Sequence, residues 1–316
     1  MKRSFGIQIE PQFGFTKDKI DKIAEMCESS GFDTIWISDH MFLNENSIDV
    51  PAFDAWTLIT YLLTKYTLKV GSLVLCNSYR TPSILAKMIT TLDHLSNGRY
   101  LCGYGAGWKE MEYQAYGIDY PPLSIRIEQM IEGIEVLRAM WDEKKKNSYT
   151  GKHYSIKDAI CFPKPLTKPR PPIWIGSNKG GKKMIRTAAR YGDGFNLAWA
   201  FSPSRCETLF KYLDEQAIKI NRDPKEITKS VGFWVRIYKD EQEKQETFQE
   251  EAAKRNISVE EYSKRVEGAL VGTKEEIIEQ LRKYFELGVF HFIFMFPFDQ
   301  EIEYLSDFSK NILQKL

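Results

Sequence analysis

Eight short, nearly continuous apolar runs, each followed by a longer stretch of helical periodicity, divide this chain, and that alternation restricts it to a parallel α/β architecture. The runs cover residues 5–9, 34–38, 69–75, 100–105, 173–176, 194–198, 230–238 and 290–296. Their brevity and lack of polar alternation suit strands buried on both faces. Eight such units select a closed (β/α)8 (TIM) barrel over an open doubly wound sheet. The chain has 316 residues, a usual length for one barrel with insertions in the loops at its carboxyl-terminal mouth. No internal repeat and no Gly/Ser linker interrupts it, so residues 1–316 read as one domain.

Helix punctuation supports the alternation. Residues 19–29 place Ile20, Ile23, Ala24 and Cys27 on one helical face. The stretch 81–95 opens on Thr81-Pro82 and stops at Ser96-Asn97-Gly98. Thr273 followed three residues later by Glu276 is a capping box, and Gly288 closes that helix. Three segments break the pattern: a polar loop over 41–54, a proline-rich excursion over 149–172, and a charged helical insertion over 239–266. Insertions of this kind belong at the mouth, where lids and specificity elements sit.

Composition narrows the partners. Forty-four basic against 43 acidic residues leave a net charge of +1, so neither nucleic acid nor an anionic membrane is expected. No apolar run reaches the roughly 18 residues of a membrane span. Residues Met1 to Gly6 lead directly into the first strand without a signal-peptide pattern. Cys27, Cys76, Cys102, Cys161 and Cys206 are widely spaced and show no metal-ligand spacing, which points to a reduced, cytoplasmic protein without a metal.

Several segments could carry chemistry. Asp39 and His40 end the second run, where strands open on the mouth; His40 can move a proton near neutral pH and an adjacent carboxylate can orient it. A loop start in which Asp39 caps a turn and His40 packs fits equally well. Gly103, Gly105 and Gly107 suit the close approach of a flat ring, but the fourth-strand context makes a poor dinucleotide fingerprint. Glu110 and Glu112 are candidate acids, although the first turn of a helix favours carboxylates in any case. The loop 176–183, with Lys179, Lys182 and Lys183 before a helix, suits a phosphate cradle or simply a solvated loop. His94, His153 and His291 read as structural.

These segments together resemble the bacterial luciferase-like oxidoreductase superfamily, and within it the branch that uses coenzyme F420, a deazaflavin. The resemblance is carried by Phe32-Asp-Thr-Ile-Trp-Ile-Ser-Asp-His40, Tyr79-Arg-Thr-Pro82, Ala86-Lys-Met88, Asp93-His-Leu-Ser-Asn-Gly-Arg99, and Gly105-Ala-Gly-Trp108 through Ala115-Tyr-Gly117. It implies hydride transfer between F420 and a small organic substrate, with Asp39 and His40 at the cofactor and proton-handling positions. It implies a non-proline cis peptide at Leu73–Val74 bracing one face of the ring. Gly105, Ala106, Gly107 and Trp108 would lie beside the ring; Gly176, Ser177 and Asn178 would hold the phosphate end, with Gly194 and Phe195 nearby, and Lys179 of the same loop adds positive charge. A homodimer through the second and third helices is implied too, and the apolar stretch 55–63 is consistent with it. Relatives that oxidise a sugar phosphate place a Glu where this chain has Trp108, which disfavours that substrate. Alternatives on the same barrel are an FMN-dependent monooxygenase, a methylene-tetrahydropterin or -folate reductase, and a barrel that binds cofactor only as a carrier or regulator.

Overall fold

The computed structural model describes residues 3–199 and 201–316; Met1 and Lys2, at the start of the expected first strand's lead-in, lie outside the described residues. The first half comprises β1 (Ser4–Ile9), α1 (Lys17–Ser29), β2 (Thr34–Ile37), α2 (Ala55–Lys65), β3 (Lys69–Ser72), β4 (Leu75–Cys76), α3 (Pro82–Ser96), β5 (Tyr100–Gly105), α4 (Glu110–Ala115) and α5 (Leu123–Trp141). There follow β6 (Asn147–Thr150), β7 (Ser155–Ala159), β8 (Ile173–Ser177), α6 (Lys182–Tyr191), β9 (Gly194–Leu197), α7 (Pro203–Lys219) and β10 (Thr228–Ile237). The chain finishes with α8 (Glu241–Lys254), α9 (Val259–Val266), β11 (Leu270–Gly272), α10 (Lys274–Glu286), β12 (His291–Met295) and α11 (Glu301–Asn311).

Eight strands pair in parallel in the order β1-β2-β3-β5-β8-β9-β10-β12, and β12 pairs back onto β1. The sheet is therefore closed, as eight alternating units require. Side chains that leave the barrel outward fill the layer beneath the helices. Phe32, Phe294, Phe296 and Phe308 form one aromatic cluster there, with ring centroids 4.6 to 6.4 Å apart. Burial of each such ring contributes about 1.5–3 kcal/mol.

Large and small residues alternate inside the barrel. Trp36 and Trp174 pack edge to face at 5.1 Å. A Cβ on Gly6 or Gly71 would strike the Trp36 ring, and one on Gly194 would strike Trp174. His291 lies among them: its Nε2 accepts from Trp36 Nε1 at 2.8 Å, and its Nδ1 lies 2.6 Å from Ser4 Oγ.

Helix ends follow the sequence closely. The capping box of α10 forms through Thr273 and Glu276, and Asn97 ends α3 in the left-handed region. The structure departs from expectation in four places. The run 69–75 is two strands, β3 and β4, separated at the cis peptide Leu73–Val74. The excursion 149–172 contributes most of an antiparallel hairpin, β6–β7. A further strand, β11, extends the sheet beside the far end of β10. In α2, the apolar residues Ala55, Leu58, Ile59, Leu62 and Leu63 are buried within this chain, so they do not form an exposed interface.

Candidate active site at the barrel mouth

The end of β2 decides what enters the mouth. Alternate residues of a strand point to opposite faces. Trp36 points into the barrel, and past the end of β2 at Ile37 the chain brings Ser38 to Gln12 and His40 to Glu112 and Trp108. Asp39 takes the other side. It is buried, accepts from Cys76 N at 2.9 Å, and receives Arg80 in a two-pronged pair at 2.7 and 3.0 Å. Arg80 also reaches Asp54, the N-cap of α2, at 3.3 Å. Burial pushes the Asp39 carboxyl up and opposes the charge of Arg80, whereas Arg80 is held charged by Asp39 and Asp54 against its own burial. The neighbouring carboxylate expected to orient His40 thus belongs to Arg80. Arg80, in turn, is not a free positive charge for a phosphate.

The carboxylate that His40 does meet is Glu112. His40 Nδ1 lies 3.2 and 3.1 Å from its two oxygens. Glu112 is only 1% exposed, and it also accepts from Met41 N at 2.8 Å and Tyr79 Oη at 2.8 Å, with Lys109 Nζ at 3.2 Å. Burial would push this carboxyl up, but the hydrogen bond and charge of His40, then Tyr79 and Met41 N, outweigh it and hold it at about 2. Lys109 Nζ also binds Phe42 O, so α4 is tied to the root of the 41–54 loop. Glu110, by contrast, is exposed and meets only Gln114 on its own helix. Glu112 lies in the first turn of α4, where a carboxylate has a local explanation, so no spacing in the sequence separates its role from that of Glu110.

His40 Nε2 has no hydrogen-bond partner among the described residues. The His40 ring stands edge to face against Trp108 at 5.4 Å, and Trp108 is 62% exposed. Trp108 follows a loop whose shape depends on glycine. Gly107 has φ +72°, and a Cβ there would collide with the Tyr113 hydroxyl. Ala106 is buried, and its carbonyl accepts from Tyr113 Oη at 3.3 Å.

Below this loop lies the Leu73–Val74 bulge. Both residues are half-buried. A Cβ on Gly105 would lie 2.5 Å from Val74 Cγ2, and one on Gly176 would lie 3.0 Å from Val74 Cγ1. Val74 is therefore flanked by bare backbone from β5 and β8. Past β8, Ser177 Oγ accepts from Gly180 N at 3.0 Å and folds the loop back toward α6. Helix α6 starts at Gly181 without a side-chain cap, so its first N–H groups are free of one. Asn178, Lys179 and Lys182 are exposed, whereas Lys183 is drawn to Ser124 O at 3.3 Å and Glu128 at 3.8 Å.

Two expected site residues are not brought here. Gly194 is in register with Trp174, and Phe195 with Ile175, while Ser177 stands opposite Leu197. Gly194 therefore lies roughly 10 Å below the mouth end of β8. It makes room for Trp174, and Phe195 is buried among the apolar residues outside the barrel. One feature of the mouth was not anticipated: Glu10 accepts from Gln8 Nε2 at 2.8 Å and from Gln12 Nε2, beside Ser38 Oγ, which donates to Gln12 at 2.9 Å.

The luciferase-like monooxygenase family model matches residues 5–291. The chain belongs to the luciferase-like monooxygenase family. An F420-dependent glucose-6-phosphate dehydrogenase of Amycolatopsis mediterranei (strain U-32) is 25% identical over 96% of each chain. Another from Segniliparus rotundus is 27% identical over 92% of this chain and 91% of that one. Among solved structures, an F420-dependent secondary alcohol dehydrogenase in complex with an F420-acetone adduct superposes with a TM-score of 0.82 at 20% identity, covering 99% of this chain and 98% of that one. At that identity the structural likeness is one of fold. The luciferase-like barrel thus accounts for the closed sheet and the position of the mouth; the chemistry rests on the side chains.

Proposed function

We propose that this protein is an F420-dependent oxidoreductase that transfers a hydride between the deazaflavin and a small organic substrate. The observation that carries the reading is His40: a proton-transfer group anchored through Nδ1, with no partner for Nε2 among the described residues. The residues present fit the cofactor. Bare backbone at Gly105 and Gly176 makes room for Val74, so the half-buried Leu73–Val74 bulge can stand at the mouth as an apolar support for a planar ring. The uncapped start of α6 offers backbone donors for a phosphodiester, and Lys179 and Lys182 offer charge for an acidic tail. The F420-dependent relatives in two organisms support the same choice. When bound, the deazaflavin supplies the hydride acceptor or donor at its central carbon. His40 Nε2 takes the substrate's proton or returns it, and Trp108 walls the substrate side beside it. Trp108 stands directly after Gly107, where the sequence resemblance places a glutamate in sugar-phosphate oxidisers, so glucose-6-phosphate is not the proposed substrate. The five described cysteines are all buried and unpaired, which supports a reducing compartment such as the cytoplasm. A homodimer belongs to the same reading.

Titration with F420 and with FMN, followed by absorbance or fluorescence, tests this. F420 is expected to bind more tightly, with affinity falling as salt rises. Lys179→Ala combined with Lys182→Ala is expected to weaken F420 more than FMN. His40→Ala is expected to lower turnover about 10²–10⁴-fold while leaving most cofactor affinity in place. Equal or tighter FMN binding, with the lysine pair dispensable, would transfer the assignment to an FMN monooxygenase.

A further inference from the structure

We propose that Glu112 is the positioning residue that fixes which ring nitrogen of His40 carries the proton. The inference rests on the proton-handling reading of His40 and supplies what that reading lacks, a reason for Nε2 to be an acceptor. A neutral imidazole has one N–H and one lone pair, and the partner of one nitrogen sets the state of the other. Glu112 faces Nδ1 with both oxygens, at 3.2 and 3.1 Å. Every other group around it is a donor: Met41 N, Phe42 N and Lys109 Nζ on Oε1, and Tyr79 Oη on Oε2. A carboxylate so surrounded is ionised and only accepts. Nδ1 must therefore carry the hydrogen, and the Nε2 lone pair is left pointing at the mouth.

The same surroundings make an isosteric test decisive. In Glu112→Gln the amide oxygen takes the Oε1 position, where Met41 N at 2.8 Å, Lys109 Nζ at 3.2 Å and Phe42 N at 3.5 Å occupy its lone pairs and leave none for His40 Nδ1. The NH₂ group is then left at the Oε2 position, beside His40 Nδ1 and Tyr79 Oη. Tyr79 can turn its hydroxyl and accept. His40 can accept at Nδ1 only by moving its hydrogen to Nε2, which removes the lone pair that chemistry needs. Shape and packing are unchanged, so a merely structural Glu112 would leave the tautomer alone.

The experiment is a nitrogen-15 correlation spectrum of the histidine side chains in the protein without cofactor, near pH 8.5, where imidazole is ordinarily neutral. Four histidines are present, and His40 is assigned by the signal missing from His40→Ala. Wild type is expected to show the Nδ1–H form. Glu112→Gln is expected to show the Nε2–H form, with turnover lowered about 10²–10⁴-fold and F420 affinity within about twofold of wild type. Tyr79→Phe, which keeps the carboxylate, is expected to retain the Nδ1–H form and provides the reading should Glu112→Gln fail to fold. An Nε2–H form in wild type or in Tyr79→Phe, or an Nδ1–H form in Glu112→Gln, overturns the proposal. Failure of the functional reading is separately visible: the tautomers behave as stated, yet His40→Ala turns over normally.

Discussion

Asp39 and His40 are adjacent in sequence and diverge in space. Just past the end of β2 their side chains part: His40 meets Glu112 and Trp108 at the mouth, and Asp39 enters a buried pair with Arg80. That pair does mechanical work. Arg80 holds Asp39, which precedes the 41–54 loop, and Asp54, which ends it and caps α2 through Thr57 N at 2.7 Å. One guanidinium thus ties both ends of a loop at the mouth. Removing it leaves a carboxylate that is buried and unpaired, and breaking a buried pair from one side costs about 3–5 kcal/mol. Arg80→Ala is therefore expected to lose stability of that order in urea unfolding, with Asp39→Asn losing less because Cys76 N keeps an acceptor. A loss below about 1 kcal/mol for Arg80→Ala would show that the pair is dispensable.

Among the elements, α2 and α3 are both expected at a dimer contact but differ in the apolar surface they leave exposed. The apolar face of α2 is spent on its own barrel. On α3, Ile84 and Leu95 stay exposed, and the chain over 160–167 lies alongside, fixed by Lys87 to Phe162 O and by His94 to Lys164 O. That segment adds Ile160, Leu166 and Phe162, the last 75% exposed. An apolar strip of this kind commonly marks a protein contact, and a two-fold axis beside it would pair the strip with its own copy. Light scattering at micromolar concentration is expected to give twice the 36.8 kDa chain mass, and Phe162→Asp together with Leu95→Glu is expected to give monomer. A monomeric wild type would remove the dimer, and a dimer that survives both changes would move it elsewhere.

For the whole molecule, the barrel interior carries a pH liability. His291 is enclosed by Trp36 and Trp174, and burial, aided by the charge of Lys69, lowers its imidazole to about 3. A base depressed in the folded state contributes stability that is complete above its ordinary value near 6.5 and lost as pH falls toward the folded value. The unfolded chain binds a proton that the folded chain refuses, at about 1.4 kcal/mol per pH unit. Glu112 acts in the same direction at lower pH, between its ordinary value of 4.5 and about 2. Unfolding free energy is therefore expected to fall between pH 6.5 and 5. His291→Gln, which keeps an acceptor for Trp36 Nε1, is expected to flatten that slope. An unchanged slope in the variant would assign the acid sensitivity to other groups.

The sequence by itself determined the barrel. Eight apolar runs with capped helices between them suit a closed barrel that buries every strand on both faces, and that information is local and repeated. It also determined the chemistry at single positions: a histidine at the end of β2, glycines at the end of β5, and a Leu73–Val74 bond that is cis as the resemblance implied. Only the tertiary structure decided who meets whom. Glu112 is 72 residues from His40 along the chain, and nothing in its six-residue helix distinguishes it from exposed Glu110. Gly194 looks like a site glycine until strand register places it opposite Trp174. Periodicity fixes which face of an element is buried, whereas a polar contact depends on angle and on tenths of an ångström between elements, and those are set when the sheet closes.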